Sequence, residues 1–253
     1  MNKTIIITGA TTGFGRATAL KFAENGFNII ITGRRKKLLD ELEKELCAIG
    51  KTKVLSLNFD VRKKDEVESA IGNLGGEWKE IDILVNNAGL AAGLSHIQEG
   101  DTDDWDRMID TNVKGLLYVT RVVAPLMIAK NRGHIFNIGS IAGIETYEKG
   151  NVYCASKFAV GALSKSMRID MLKNNIKVTL IAPGMAETEF SIVRFKGDEE
   201  KAKNVYKGID ALTAGDIADV IYYCATLPEH VCINEIVITP TQQASVNHSF
   251  RRE

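Results

Sequence analysis

The chain has 253 residues, 45% hydrophobic and 25% charged, which is the make-up of an ordinary globular protein of one large or two small domains. Lys plus Arg (32) equals Asp plus Glu (32), so the basic excess that a dedicated nucleic-acid binder needs is missing. Cys47, Cys154, Cys224 and Cys232 form no C-x-x-C pair and have no His at zinc-finger spacing, which argues against a metal centre and a disulfide scaffold and suits a reducing cytoplasm. Met1, Asn2 and Lys3 run into an apolar segment without a signal-peptide pattern, and no uninterrupted apolar run approaches the ~20 residues that span a bilayer. A cytoplasmic protein without membrane contact is expected.

Strands are predicted at residues 4–8, 27–32, 53–59, 82–86, 134–139, 176–182 and 235–239, separated by longer stretches of helical period. Most are continuous Ile/Leu/Val runs rather than alternating ones, the pattern of strands covered on both faces. The intervening segments are long enough for parallel crossovers. One Rossmann-like, doubly wound α/β domain over residues 1–253, with a seven-stranded parallel sheet flanked by helices, follows.

After the first strand stand Thr8, Gly9, Ala10, Thr11, Thr12, Gly13, Phe14 and Gly15, with a helix predicted from about Phe14. Glycines at these places let the backbone turn tightly and approach a pyrophosphate, whose charge the free N–H groups of the helix N-terminus stabilise. The position between first strand and first helix gives the spacing its meaning; a tight turn without a ligand is the alternative. An acidic residue at the end of the second strand would bind the adenosine ribose of NAD, but here that strand ends in Thr32, Gly33, Arg34 and Arg35. Two guanidinium groups where a 2′-phosphate would sit favour NADP over NAD. A solvated basic pair continuing into Lys36 and Lys37 is the alternative.

Farther along, Ser140 lies just beyond the fifth strand, at the carboxyl edge where open α/β sheets bind ligands. Tyr153 and Lys157 follow in a helical stretch over 152–172, four apart and so on one face. A phenol with an ordinary pKa of about 10 needs help to act as a base near neutrality, and a neighbouring ammonium supplies it. Core packing is the alternative for each residue, and for the adjacent Cys154 it is the preferred reading.

These elements stand in the order Thr8-Gly9-x-x-x-Gly13-x-Gly15, Asp60-Val61, Asn86-Asn87-Ala88-Gly89, Asn112-Val113-Lys114-Gly115, Ser140, Tyr153-x-x-x-Lys157 and Pro183-Gly184. In this the chain resembles the short-chain dehydrogenase/reductase family over essentially its whole length. The resemblance implies that Asp60 and Val61 line an adenine pocket, that Asn87 lies along the adenosine ribose, and that Pro183, Gly184 and Thr188 approach the nicotinamide. It further implies that Asn112 holds a water linking Lys157 to solvent. Tyr153 would take the substrate's hydroxyl proton while Ser140 holds that oxygen; Lys157 would grip the nicotinamide ribose and lower the Tyr153 pKa. A homotetramer using the 152–172 helix is also implied.

Residues 32–35, 83–90 and 188–198 look like the NADP-dependent 3-hydroxy acid dehydrogenases, which act on serine, allo-threonine and related acids. Residues 185–210, polar and punctuated by Gly197, are expected to form a substrate lid, with an exposed helical excursion as the alternative. A small acid needs a cation, and Arg194 is the substrate-binding candidate, with Lys196 beside it; surface ion pairing is the alternative for both. A reductase of another carbonyl class, or a non-catalytic dinucleotide-binding protein, are the competing functions. The polar tail, 241–253, is expected to be disordered or to pack on a neighbouring subunit.

Overall fold

The computed structural model describes residues 2–252. Seven strands, β1 (Thr4–Ile7), β2 (Asn28–Gly33), β3 (Val54–Asn58), β4 (Ile81–Asn86), β5 (Gly133–Ile138), β6 (Ile176–Pro183) and β7 (Glu235–Ile238), form one sheet in the order β3-β2-β1-β4-β5-β6-β7. Every pairing is parallel. The helices are α1 (Gly13–Glu24), α2 (Lys36–Ala48), α3 (Lys64–Gly72), α4 (Thr102–Ile109), α5 (Leu116–Ala129), α6 (Asn151–Asp170), α7 (Phe190–Arg194), α8 (Glu199–Asn204) and α9 (Ala214–Thr226). The predicted strands are all present, with no end shifted by more than one residue.

The isoleucine runs explain the layering, because successive strand side chains point to opposite faces. Ile6, Ile30, Leu84, Ile135 and Val178 enter a core with α3, α5 and α6. Ile5, Ile7, Ile29, Ile31, Phe136 and Ile181 enter a second core with α1, α2 and α9. A sheet buried on both sides has no use for alternating polarity, which is why these strands read as continuous apolar runs. The chain runs outward from β1 to β3 on one side and from β4 to β7 on the other, so the loops after β1 and β4 diverge and open a crevice at the carboxyl edge.

Between α4 and α5 the chain makes a π-helical turn over Asp110–Gly115, and the joined helices run from Thr102 to Ala129. That span is long and apolar enough to cross a membrane, although the strict run of apolar residues is broken. Here Leu116, Val119, Val123 and Met127 are buried in the first core. The 185–210 segment contains two short helices, α7 and α8. The tail departs from the expectation of disorder, because it folds back on its own chain. Its polar groups find acceptors there: Gln242 Nε2 and the Arg252 N–H both donate to the Gly208 carbonyl (2.9 and 2.8 Å), and Asn247 Nδ2 donates to Glu145 Oε1 (3.0 Å).

Candidate active site

Gly9 and Gly13 have φ of +63° and +54°, a region that side chains other than glycine's enter at a cost. At Gly9 a Cβ would also come within 2.9 Å of the Ala88 backbone. Asn87 Nδ2 fastens this loop to the end of β4 by donating to the Thr8 and Gly9 carbonyls (2.8 and 3.0 Å). The result is a tight turn whose backbone faces a cleft of about 560 Å³ at the carboxyl edge of the sheet.

Most of the residues singled out in the sequence line that one cleft: Gly9, Thr11, Thr12, Gly13, Phe14, Arg34, Arg35, Val61, Asn87, Ser140, Tyr153, Lys157, Pro183, Gly184, Thr188 and Arg194. Ala10, Gly15, Asp60 and Asn112 stand behind it and act on the lining. Ala10 is fully buried in the second core and its N–H donates to the Thr32 carbonyl (2.9 Å). Gly15 lets α1 start close to the loop, where a Cβ would lie 2.5 Å from Asn87 Nδ2 and the Gly9 carbonyl oxygen.

Asp60 is gripped by Arg62 through Nε (3.0 Å) and Nη2 (2.6 Å), and Arg34 Nη1 lies 3.5 Å from it. Burial pushes this carboxyl up, but the bonds from Arg62 and the charge of Arg34 outweigh it and hold the carboxyl below its usual range. Arg35 points the other way: its Nη2 donates to Thr11 and Thr12 (3.2 and 3.0 Å), and its Nη1 meets Glu189 (2.9 Å).

Ser140 and Tyr153 face each other because β5 ends at the cleft and α6 returns beside it. The Ser140 hydroxyl accepts from the Ala142 N–H (3.1 Å) and donates to the Pro183 carbonyl (3.5 Å). Tyr153 is buried, and loss of solvent pushes its phenol above the usual 10 while the hydrogen bond with Ser140 pulls the other way. The Lys157 ammonium donates to the Ile138 carbonyl (2.8 Å) and lies 5.9 Å from the centre of the Tyr153 ring. Burial lowers its pKa from 10.5 to about 8. Asn112, in the π-helical turn, exchanges two bonds with the Leu90 backbone (both 2.8 Å) and donates to Ser156 on α6 (2.9 Å). Its side chain thereby ties the loop after β4 to the helix that carries Tyr153 and Lys157. Cys154 is buried among Leu90, Ala91 and Ala92, a packing position.

Arg194, the last residue of α7, places its guanidinium 5.4 Å from the ring centres of both Tyr147 and Tyr153. One Nη donates to the Tyr147 hydroxyl, while Nε is buried without a partner. Lys196 is committed elsewhere, to Asp101 (3.1 Å) and Asp104 (2.8 Å). Sequence reasoning missed Tyr147, Phe190, Gln243 and Val246, which also line the cleft. No spacing rule marks them. Gln243 accepts from the Met185 N–H (2.8 Å) and fills the space a Cβ on Gly184 would occupy.

The residues fit a phosphorylated dinucleotide. A glycine turn with positive φ opens onto the cleft at the start of α1, and Arg34 and Arg35 stand at the end of β2. The cleft-lining residues include four cations, Arg34, Arg35, Lys157 and Arg194, against one carboxylate, Glu189. Among the described residues no cluster of His, Cys, Asp or Glu could hold a metal ion.

A family model described as short chain dehydrogenase matches residues 3–199. An NADP-dependent 3-hydroxy acid dehydrogenase of Salmonella typhi is 47% identical over 249 residues, 98% of this chain and 99% of that protein. Sulfoacetaldehyde reductase 2 of Chromohalobacter salexigens is 44% identical over 245 residues, 96% of each chain. The closed form of a serine dehydrogenase complexed with NADP+ superposes with a TM-score of 0.92 at 43% identity, covering 99% of this chain and all of that one. With the glycine turn, the Ser140, Tyr153 and Lys157 cluster and the order of the strands all accounted for, this chain belongs to the short-chain dehydrogenase family.

Proposed function

We propose that this chain is an NADP(H)-dependent dehydrogenase of small 3-hydroxy acids, interconverting them with their 3-oxo acids; serine, allo-threonine, 3-hydroxypropionate and malonic semialdehyde define the class. The observation that carries this reading is the Arg194 guanidinium, stacked over the ring of Tyr153 with its Nε buried and unpartnered. An unmet donor beside a base calls for an anion on the reacting molecule, and a guanidinium takes a carboxylate through parallel hydrogen bonds.

NADP, when bound, supplies or takes up the hydride. The glycine turn and the N-terminus of α1 bind its diphosphate, and Arg34 and Arg35 bind its 2′-phosphate. Val61 closes the adenine end and Asn87 lies along the ribose, while Pro183, Gly184 and Thr188 shape the nicotinamide end. Ser140 holds the substrate oxygen. Tyr153 Oη moves the proton, removing it in oxidation and returning it in reduction. Lys157 holds the nicotinamide ribose, and its positive charge favours the phenolate. Asn112 keeps the Leu90 loop and α6 in register and serves the water path to Lys157. Residues 185–210 act as a lid that excludes water once Arg194 has closed on the acid. The enzyme works in the cytoplasm as a homotetramer built on α6.

Sulfonated aldehydes are a second reading, because one relative is a sulfoacetaldehyde reductase and a guanidinium grips a sulfonate through the same pair of bonds. A matrix of NADPH and NADH against malonic semialdehyde, sulfoacetaldehyde, acetoacetyl thioester and a neutral aldehyde tests the proposal. NADPH with malonic semialdehyde is expected to be the best pair. Preference for the thioester would assign another carbonyl class, and no turnover across the panel would leave a dinucleotide-binding protein.

A further inference from the structure

Glu189 is the one acidic residue among the described residues that line the cleft, and it stands immediately before α7. Its carboxylate meets Arg35 Nη1 at 2.9 Å, joining residues 154 positions apart. Arg35 is itself held by Thr11 and Thr12 on the glycine loop. A guanidinium has five N–H donors, more than these three bonds use, so Arg35 can grip a 2′-phosphate while Glu189 remains in place.

At the opposite end of α7, Arg194 lies over Tyr147 and Tyr153, and the ring of Phe190 is 5.6 Å from that of Tyr153. Five residues of helix span about 7.5 Å, and so short a helix has no stability of its own. Its position is set by what holds its ends. The middle is tied only within the lid, through Ser191 to Tyr206 (2.6 Å) and from Tyr206 to the Ala186 carbonyl (2.9 Å). The Glu189 clamp ties the helix to the cofactor end of the cleft, while the Gly93 N–H, donating to the Arg194 carbonyl (3.1 Å), ties its other end to the loop after β4.

We propose that Glu189 is a positioning residue: clamped to Arg35, it holds α7 so that Arg194 is set over Tyr153, and the grip on the substrate acid thereby depends on the side chain that selects the cofactor. This rests on the reading of Arg34 and Arg35 as phosphate ligands and of Arg194 as the acid's partner. The clamp is half-exposed, which keeps its effect modest. Arg35 is already pinned by two hydroxyls, so little additional side-chain freedom is lost in making it.

The test compares Glu189→Gln, Arg35→Ala and the double variant. The first readout is amide hydrogen exchange at Val193 and Phe195 in the cofactor-free protein. The second is KM and kcat for 3-hydroxypropionate and for its methyl ester at saturating NADP. Each single variant should speed exchange by about 2- to 5-fold, the range of an exposed ion pair, and the double variant should do no more than either. The ratio of acid to ester efficiency should fall by the same factor, through the KM of the acid rather than through kcat. Unchanged exchange, multiplied effects in the double variant, or equal losses on acid and ester would overturn the proposal. Faster exchange in a protein that oxidises no hydroxy acid would refute the dehydrogenase reading, whereas turnover with unaltered exchange would refute the clamp alone.

Discussion

The floor of the cleft, made by the ends of β1, β4 and β5 and by α6, and its roof, made by residues 185–210 and the tail, hold their side chains by different means. On the floor, regular elements do the work: Tyr153 and Lys157 share a helix face, and Lys157 reaches the end of β5 through a 2.8 Å bond to the Ile138 carbonyl. On the roof, contacts between distant segments do it, such as Arg35 with Glu189 and Arg194 with Tyr147. On the floor, Tyr153 and Lys157 are buried and shifted by desolvation; on the roof, the Arg35–Glu189 and Lys196–Asp101 clasps are half-exposed. This contrast suits the proposed division, in which the floor moves the proton and the roof reads the acid.

The sharpest way to break this comparison is on the floor. Tyr153→Phe keeps the ring that packs against Phe190 and removes the proton-moving hydroxyl, so turnover should fall at least ~100-fold while NADPH binding, followed by its fluorescence, stays within a factor of two. Retention of a tenth of the activity would remove Tyr153 from the chemistry. The cofactor end comes next. Replacing Arg34 and Arg35 together with Ala removes at least one charge-assisted bond worth about 1.5 to 3 kcal/mol, so efficiency with NADPH should drop at least roughly 10- to 150-fold, while that with NADH falls only by the few-fold expected from losing the Glu189 clamp. Equal use of both cofactors by the unaltered enzyme would contradict the assignment.

The pH dependence is gentler and has opposite signs in the two directions. Burial keeps the Tyr153 phenol above its usual value, so from pH 6 to 9 the protonated form dominates and the phenolate share grows with pH. Oxidation, which needs the phenolate, should therefore climb with pH until loss of the Lys157 charge above about pH 8 flattens the rise. Reduction uses the protonated form, and the Lys157 ammonium, whose pKa is lowered to about 8, is lost above that pH. The reductive rate should be level up to about pH 7.5 and decline beyond pH 8, as initial rates in both directions would report.

The same contrast explains what the sequence made legible. Strands of consecutive isoleucine, a glycine turn between a strand and a helix, and a Tyr and Lys four apart are local patterns with fixed geometric consequences, and all of them stand where the spacing puts them. Arg194 was legible as a cation on a loop near the strand end, but its stacking on Tyr147 depends on two segments 47 residues apart. Lys196, equally placed in the sequence, turns instead to Asp101 and Asp104. The tail was illegible for a similar reason. Its polar composition is that of a solvated segment, and it is acceptors on distant segments, among them the carbonyls of Gly208 and Lys207 and the carboxylate of Glu145, that give its donors a place to go. Asp60 shows the limit from the other side: its position was readable from its motif, whereas its capture by Arg62 two residues on was not.

The central claim is that the roof reads a carboxylate while the floor transfers the proton, and Arg194→Ala tests it most directly. Efficiency should be measured on 3-hydroxypropionate and on its neutral methyl ester, with NADP saturating. Loss of one charge-assisted contact predicts a fall of about 10- to 150-fold on the acid, with the ester much less affected. Equal losses on both would contradict the account, because Arg194 would then support the lid or the cofactor and the acid would be recognised elsewhere.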